Sequence, residues 1–414
     1  MNFIKKLINK YKSFLSDMVL NMIGFGIYIV AQQILLLPIL AKSVDDAVYS
    51  SIVLYISVLN VICNVTGGEL GNVRLIRDSE YKEKNIVGDF TRILVTISPI
   101  IAVIAMPILI YLKYSVLGSV ILVLTILMAN VRLYATCYYR LQKKFGKVIL
   151  QNICYFVGIV ISLIVFKFFN NIYLIMLIPE LLSLVYALKN SDLLKMKLAK
   201  TEEIKNTYKS FSELGSVSLL TNLMNYFDKF LIYPILGSAS VAVYYAVNSM
   251  AKITSLITNP MSSVILSWVS NIKKGDNKSK IFKMTLLSNI PVILGVTILS
   301  IPLTYIALRI LYSQYLDASK ILIIPIALSS GFATASTLIK SVLLKFTNTK
   351  KILYSYIGYF IVFIILGYGL SKTNGLIGFT IANLASKMVL WIIFNVLLVQ
   401  AKKMEEKNVR KVKE

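Results

Sequence analysis

Six charged side chains lie inside long apolar stretches of this 414-residue chain, and they are the residues best placed to do chemistry. Four are cations and two are anions: Arg132, Lys229, Lys252, Lys387, Asp228 and Glu180. A charge at the centre of a bilayer costs about 3 kcal/mol, so these residues should face a protein interior or a wet cavity. Lysine and arginine bind phosphate-like anions there. The two surplus cations therefore predict a binding site for an anionic substrate.

Depth separates the four cations. Lys387 lies about 13 residues, or roughly 19 Å, from either end of its apolar stretch, and Lys252 lies about 11 residues from the nearer end of its own. Neither side chain is long enough to reach an interface. Arg132 and Lys229 lie only about seven residues from an end, where reaching the interface is an alternative. A further alternative is that the charges only fix helix packing, as the pairs Asp228–Lys252 and Glu180–Arg132.

Amide side chains accompany these charges at helical spacing. The spacing of three or four residues occurs in Asn248–Lys252, Asn383–Lys387, Asn225–Asp228 and Asn222–Asn225. We therefore predict a water-filled central cavity with excess positive charge. Its predicted substrate-binding residues are Arg132, Lys229, Lys252, Lys387, Asn222, Asn225, Asn248, Asn383 and Gln32. Its carboxylates, Asp228 and Glu180, are the candidates for coupling to an H+ or Na+ gradient.

Apolar runs of about 20 residues position all of these side chains. The chain is 57% hydrophobic, with a mean hydropathy of +0.75. Continuous runs of this length predict transmembrane helices, whereas a membrane β-barrel needs short alternating segments. We count twelve runs, and we expect an all-α polytopic membrane protein.

The two halves of the chain are related as repeats. The sequence Leu-Pro-Ile-Leu at 37–40 matches Tyr-Pro-Ile-Leu at 233–236, an offset of 196 residues that also places Gln32 where Asp228 lies. Six spans in each half insert in the same direction, so we predict two six-helix bundles related by a pseudo-two-fold axis along the membrane normal. The predicted order is an amphipathic interfacial helix (1–17), a bundle (18–188), a cytoplasmic linker (189–212), a bundle (213–399) and a basic cytoplasmic tail (400–414).

The net charge of +25 has its source in the loops. Most Lys and Arg residues, with Arg74, Arg77 and Lys340 among them, fall in alternate predicted loops, which by the positive-inside rule predicts that both termini are cytoplasmic. This distribution removes the need for a nucleic-acid partner. Histidine is absent, and the three cysteines fall inside apolar runs without metal-site spacing. We therefore expect no metal or other cofactor.

The stretch Asn222–Ala246 carries a recognisable motif. It reads Asn-x-x-Asn-x-x-Asp-Lys-Phe-Leu-Ile, followed by a short turn and a Tyr-rich helix. With twelve spans in two bundles and a basic linker, it resembles the polysaccharide transporters of the multidrug/oligosaccharidyl-lipid/polysaccharide exporter (MOP) superfamily, and within them the Wzx-type flippases. Many lipid II flippases in that superfamily have more than twelve spans. The twelve spans predicted here therefore disfavour a peptidoglycan precursor as substrate.

This resemblance implies a function. It implies movement of an undecaprenyl-diphosphate-linked oligosaccharide from the inner to the outer leaflet of the bacterial cytoplasmic membrane, during assembly of a surface polysaccharide. The acidic–basic pair of the family maps onto Asp228 and Lys229. Implied partners are membrane lipid and the polysaccharide polymerase and glycosyltransferases of the same pathway.

Two other functions remain open at this stage. A membrane-embedded glycosyltransferase or polymerase could use the acidic pair Asp45-Asp46 in the first external loop, but every external loop is too short to build such a site. A multidrug exporter of the same superfamily would prefer an acidic cavity for its cationic substrates, and the predicted cavity is basic.

Overall fold

The computed structural model describes residues 19, 20, 22–81, 86–193, 201–251 and 278–413. Within these ranges every element is a helix, and no strand occurs. The predicted interfacial helix of residues 1–17, part of the predicted linker and Lys252 lie outside the described residues.

Eleven helices follow one another along the described chain. The first seven are α1 (Met22–Ser43), α2 (Asp46–Cys63), α3 (Glu69–Tyr81), α4 (Ile86–Tyr111), α5 (Val116–Leu141), α6 (Phe145–Phe169) and α7 (Ile172–Asn190). The last four are α8 (Ile204–Ala251), α9 (Lys278–Leu311), α10 (Leu316–Phe346) and α11 (Thr349–Lys413). Two stretches have the wider π-helical hydrogen bonding, Val30–Leu36 within α1 and Asn64–Gly68 between α2 and α3.

Each of the two longest helices reverses direction at a glycine. Gly237 in α8 has φ +80° and Gly375 in α11 has φ +60°, values that residues with a side chain rarely adopt. Asp228 and Asn248 would lie about 30 Å apart in a straight helix, yet their side chains form a 2.9 Å hydrogen bond. The chain therefore folds back at Gly237 as a helical hairpin.

The two reversals account for the number of spans. Ten helical stretches in the described residues are long and apolar enough to cross a membrane. Two of them contain a reversal and so count as two segments each, which gives twelve helical segments in the described residues. The prediction of an all-helical, polytopic chain with about twelve spans is confirmed.

The chain divides into two compact units. Unit 1 comprises Met1–Leu40 and Ser51–Tyr226, and unit 2 comprises Ala41–Ser50 and Phe227–Glu414. The boundary between the units therefore lies inside α8. The bounds predicted for the two six-helix bundles follow membrane topology instead, and they stay a prediction.

Ion pairs hold the described part of the linker against α3 and α4 in unit 1. Arg74 of α3 makes a buried ion pair with Asp192, and Arg77, one turn along, pairs with Glu203 at 3.0 Å. The fully buried Asp89 carboxylate of α4 accepts hydrogen bonds from the backbone N–H of Thr201 at 2.9 Å and from the Tyr81 hydroxyl at 3.0 Å. Burial, with Asp89 adding to it, raises the pKa of Tyr81 to about 12. Unit 1 thus fixes this segment at several points.

Close helix packing at small residues completes each unit. In unit 1, a Cβ added to Gly158 of α6 would lie 2.5 Å from the backbone of Pro179 in α7. In unit 2, a Cβ added to Gly331 of α10 would lie 2.8 Å from the carbonyl oxygen of Ile293 in α9. Helices in membranes approach this closely through small residues, because dispersion contacts replace the missing hydrophobic force.

Candidate functional site

The Asp228 carboxylate is the centre of a buried polar cluster in unit 2. One carboxylate oxygen accepts hydrogen bonds from the backbone N–H and the Nζ of Lys229, each at 2.9 Å. The other accepts from the Tyr244 hydroxyl at 3.1 Å and from Nδ2 of Asn248 at 2.9 Å. Nδ2 of Asn383 donates to the Tyr244 hydroxyl at 2.9 Å. Four donors on one carboxylate stabilise its ionised form and fix its position.

The α8 hairpin and the second half of α11 position this cluster. Asp228 and Lys229 lie before Gly237, while Tyr244 and Asn248 lie after it, so the reversal brings both pairs to the same depth. Asn383 lies after the reversal of α11 at Gly375. The Tyr244 ring packs edge-on against Phe379, with ring centroids 5.3 Å apart. A rigid apolar frame therefore holds the polar groups.

The cluster contains one carboxylate and two lysines. Lys229 is 3% exposed and makes the ion pair with Asp228, and its ammonium also lies 5.9 Å from the centre of the Tyr245 ring. Lys387, one helical turn after Asn383, is close enough to both Asp228 and Lys229 for a Coulombic interaction. No carboxylate of the described residues forms an ion pair with Lys387. These three groups together carry one positive charge in excess, which suits an anionic ligand.

A second charged cluster lies in unit 1. Arg132 of α5 donates two hydrogen bonds to Glu180 of α7, from Nε at 2.6 Å and from Nη2 at 3.0 Å. The guanidinium carbon lies 5.2 Å from the centre of the Tyr28 ring and 5.3 Å from that of Tyr155. The planar guanidinium thus meets one carboxylate in a fork and stacks near two aromatic rings, the arrangement that arginine favours when buried. This cluster is electrically neutral.

The other predicted binding residues fall at separate places in unit 1. Asn222 accepts a hydrogen bond from Nδ2 of Asn64 at 3.0 Å. Asn225, less than one turn later in α8, is exposed. Gln32 is buried in the π-helical stretch of α1. The structure therefore brings together Asp228, Lys229, Asn248, Asn383 and Lys387, and separately joins Arg132 to Glu180.

The ion pairs of the two carboxylates agree in part with the packing alternative, in which Glu180 pairs with Arg132 and Asp228 pairs with Lys252. Glu180 neutralises Arg132, as the packing hypothesis requires. Asp228 pairs with its neighbour Lys229, while its predicted partner Lys252 lies outside the described residues. Roles of these residues in substrate binding or ion coupling stay predictions.

Tyr244 and Tyr155 are the site residues that sequence reasoning missed. Tyr244 hydrogen-bonds both Asp228 and Asn383, and the Tyr155 ring packs at a tilt against the Tyr28 ring, with centroids 4.6 Å apart. A signal for Tyr244 was present, because residues at similar distances on either side of the Gly237 turn must lie at similar depth. No three His, Cys, Asp or Glu side chains of the described residues lie close enough to hold a metal ion.

Solved membrane transporters share this fold. The chain is similar to an inward-facing multidrug resistance MATE family transporter of the MOP superfamily, with 12% identity, a TM-score of 0.68 and coverage of 94% of this chain and 95% of that one. It is similar to the lipid II flippase MurJ in an inward closed conformation, with 16% identity, a TM-score of 0.67 and coverage of 97% and 90%. It is also similar to the Vibrio cholerae MATE transporter VcmN, with 11% identity, a TM-score of 0.62 and coverage of 95% and 97%.

These likenesses define the class of the chain by fold. No protein-family model and no curated protein matches the sequence. At identities this low, the solved structures establish the architecture and leave the substrate open. The chain is a multi-pass membrane protein with a helical fold similar to that of these MATE transporters and of MurJ.

Proposed function

We propose that the protein is a flippase that moves an undecaprenyl-diphosphate-linked oligosaccharide from the inner to the outer leaflet of the bacterial cytoplasmic membrane, for assembly of a capsule, O-antigen or exopolysaccharide. The observation that supports this proposal most directly is the surplus cation of unit 2. Lys387 lies deep in its span, within electrostatic range of the Asp228 carboxylate, which already pairs with Lys229. A half-buried cation at this depth of a span is costly unless an anion joins it, and a lipid diphosphate supplies two adjacent phosphates.

Each residue of the cluster has a proposed part. Lys387 binds the diphosphate directly. Lys229, which forms an ion pair with Asp228, adds a second positive charge to the site. Asn248 and Asn383 keep further hydrogen-bonding capacity for sugar hydroxyls. The remaining proposed ligands of the substrate are Arg132, Lys252, Asn222, Asn225 and Gln32.

Transport proceeds in this proposal by alternating access without a cofactor. Asp228 or Glu180 couples the cycle to H+ or Na+, and either ion must displace a cation that the carboxylate holds in this structure. The proposed partners are membrane lipid and the polymerase and glycosyltransferases of the same pathway, with no nucleic acid. Both termini are cytoplasmic in this scheme.

A multidrug exporter is the second candidate, and the similarity to MATE transporters favours it. A cationic drug needs a carboxylate that is not already neutralised. In the described spans, Asp228 and Glu180 are both engaged by basic side chains. The charge balance therefore favours the anionic substrate.

A membrane glycosyltransferase has less support. Asp45 caps α2 by accepting a hydrogen bond from the backbone N–H of Val48 at 2.8 Å. Asp46 accepts one from the Tyr315 hydroxyl at 2.6 Å. Both carboxylates thus have partners that hold the short external turn in place.

Reconstituted liposomes test the proposal. Purified protein should move a fluorescent undecaprenyl-diphosphate oligosaccharide across the bilayer, and Lys387→Gln should slow this movement about 10- to 100-fold, the value of a charged hydrogen bond of about 1.5–3 kcal/mol. Lys320→Gln is the matched control, because Lys320 is 55% exposed and pairs with Asp317. Equal rates for Lys387→Gln and wild type would reject the anionic site, and efflux of an organic cation without lipid movement would establish the exporter.

A further inference from the structure

A second cation lies in unit 2, near the end of α10 that is predicted to be cytoplasmic. Lys340 was expected in a basic loop, but it lies inside α10, and its ammonium is 5.2 Å from the centre of the Tyr356 ring. The Lys340 side chain is half-buried. No carboxylate of the described residues forms an ion pair with it. Lys340 is thus a cation with an aromatic neighbour and no counter-ion in this part of the chain.

Polar side chains also lie in unit 2 at about the depth of Lys340. Nδ2 of the buried Asn289 donates to Oδ1 of Asn395 at 2.6 Å. Tyr356, the aromatic neighbour of Lys340, packs edge-on against Phe394 with centroids 5.5 Å apart. Phe394 and Asn395 are consecutive in α11, so Lys340, which packs on Tyr356, lies at about the same level of the helix as this asparagine pair.

Trp391 lies one helical turn from Asn395 and one turn from Lys387. Its ring packs against Phe332, with centroids 5.5 Å apart, and its Nε1–H is buried without a hydrogen-bond partner in the described residues. A buried N–H without an acceptor is destabilising, so its presence calls for an explanation. An anionic group with several oxygens, such as a diphosphate, offers an acceptor to the Trp391 N–H and a counter-charge to Lys340.

We propose that Lys340, Trp391 and Asn395 form a second anion-binding site in unit 2, which we call the inner station. Lys387 and Asn395 are eight residues apart in α11, which corresponds to about 12 Å along the helix, with Trp391 midway. The proposal rests on the proposed flippase function and extends it. The diphosphate head group binds first at the inner station and then passes along α11 to Lys387.

A purely structural role for Lys340 makes a different prediction. If Lys340 only packs against Tyr356, its replacement lowers the melting temperature and leaves anion affinity unchanged. If it belongs to a binding site, its replacement lowers anion affinity, and Lys340→Arg, which keeps the charge and the aromatic contact, restores it.

Trp391 provides a direct readout of the inner station. The chain has two tryptophans, so Trp268→Phe leaves Trp391 as the single indole fluorophore. Purified protein is titrated with farnesyl diphosphate, and farnesol is the uncharged comparison. We expect a saturable shift of Trp391 emission with the diphosphate and none with the alcohol. Lys340→Gln should raise the Kd at least fivefold, while Lys320→Gln, on the same helix, should change it less than twofold.

The outcomes separate this proposal from the proposed function. An unchanged Kd in a folded Lys340→Gln protein overturns the inner station, and so does a wild-type protein that flips lipid-linked oligosaccharide but shows no Trp391 response. Saturable binding that depends on Lys340, without any flipping in liposomes, overturns the flippase and keeps the anion site. Lys340→Met replaces Lys340→Gln if the latter fails to fold, because methionine keeps the apolar packing on Tyr356.

Discussion

The charge clusters of unit 1 and unit 2 differ in net charge: the first is neutral and the second has one positive charge in excess. In unit 1, Arg132 and Glu180 are matched one to one through two hydrogen bonds and two aromatic rings. In unit 2, a single carboxylate, Asp228, lies within electrostatic range of two lysines. A neutral pair in a low-dielectric interior fixes helix packing. A surplus charge there is costly until a ligand of opposite charge binds to it. Charge count, more than the presence of charge, therefore separates a structural contact from a candidate binding site.

The largest expected effect breaks the neutral pair. Glu180→Gln leaves the guanidinium of Arg132 buried without a counter-charge, which should lower the free energy of unfolding by about 3–5 kcal/mol. Thermal unfolding in detergent measures the loss. Replacing both partners, as Arg132→Met with Glu180→Leu, should recover most of it. Equal stability of Glu180→Gln and wild type would show that the pair does not hold α5 to α7.

A smaller effect is expected at the reversal that builds the unit 2 cluster. Gly237→Ala places a side chain at φ +80°, which costs about 1–3 kcal/mol and displaces Tyr244 and Asn248 from Asp228. Gly295→Ala is the control, because Gly295 lies within α9 with open space around it, and alanine there should add about 0.5–1 kcal/mol. A stable Gly237→Ala protein with unchanged anion binding would contradict the role of the turn.

Removing one hydroxyl tests the hydrogen-bond network itself. Tyr244→Phe deprives Asp228 of a donor and Asn383 of an acceptor, so stability should fall by about 1–2 kcal/mol. Tyr359→Phe serves for comparison, since the buried Tyr359 ring stacks on Phe363 and its hydroxyl has no hydrogen bond in the described residues. If Tyr244→Phe and Tyr359→Phe have the same melting temperature, the Tyr244 hydroxyl does not stabilise the cluster.

The smallest expected effect has the opposite sign. Lys387→Met removes an unneutralised charge, so the protein should become more stable by about 1 kcal/mol while it loses anion binding. Lys320→Met, at an exposed position, should leave stability within about 0.5 kcal/mol. A destabilised Lys387→Met protein would place Lys387 among the packing contacts, as Arg132 is.

Hydropathy and spacing were sufficient for the helical fold, for about twelve spans, and for the charged and amide residues of the unit 2 cluster, although they missed Tyr244. Run length fixes a membrane span whatever its neighbours are, and Asn383 and Lys387 share a face by spacing alone. The sequence was less informative about which charged residues form ion pairs with each other. Asp228 pairs with Lys229, although adjacent residues on a helix do not face each other, because the long lysine side chain bends back to reach the carboxylate.

Side chains near the predicted span ends were also misjudged. Arg74 and Arg77 fall in a polar stretch, and hydropathy assigned them to a loop. They lie instead in α3, buried in ion pairs with Asp192 and Glu203. These partners are more than 100 positions away along the chain, and no local pattern records such a contact.

The turn at Gly237 also affects how the chain enters the bilayer during synthesis. Asp228 finds Lys229, Tyr244 and Asn248 within a single helical hairpin, so its charge is compensated as soon as those two spans leave the insertion machinery together. Arg132 must wait for Glu180, which is synthesised 48 residues later. The hydrogen bonds inside the hairpin thus form before Asn383 is synthesised, 139 residues after Tyr244, whereas Arg132 has no counter-charge until α7 arrives.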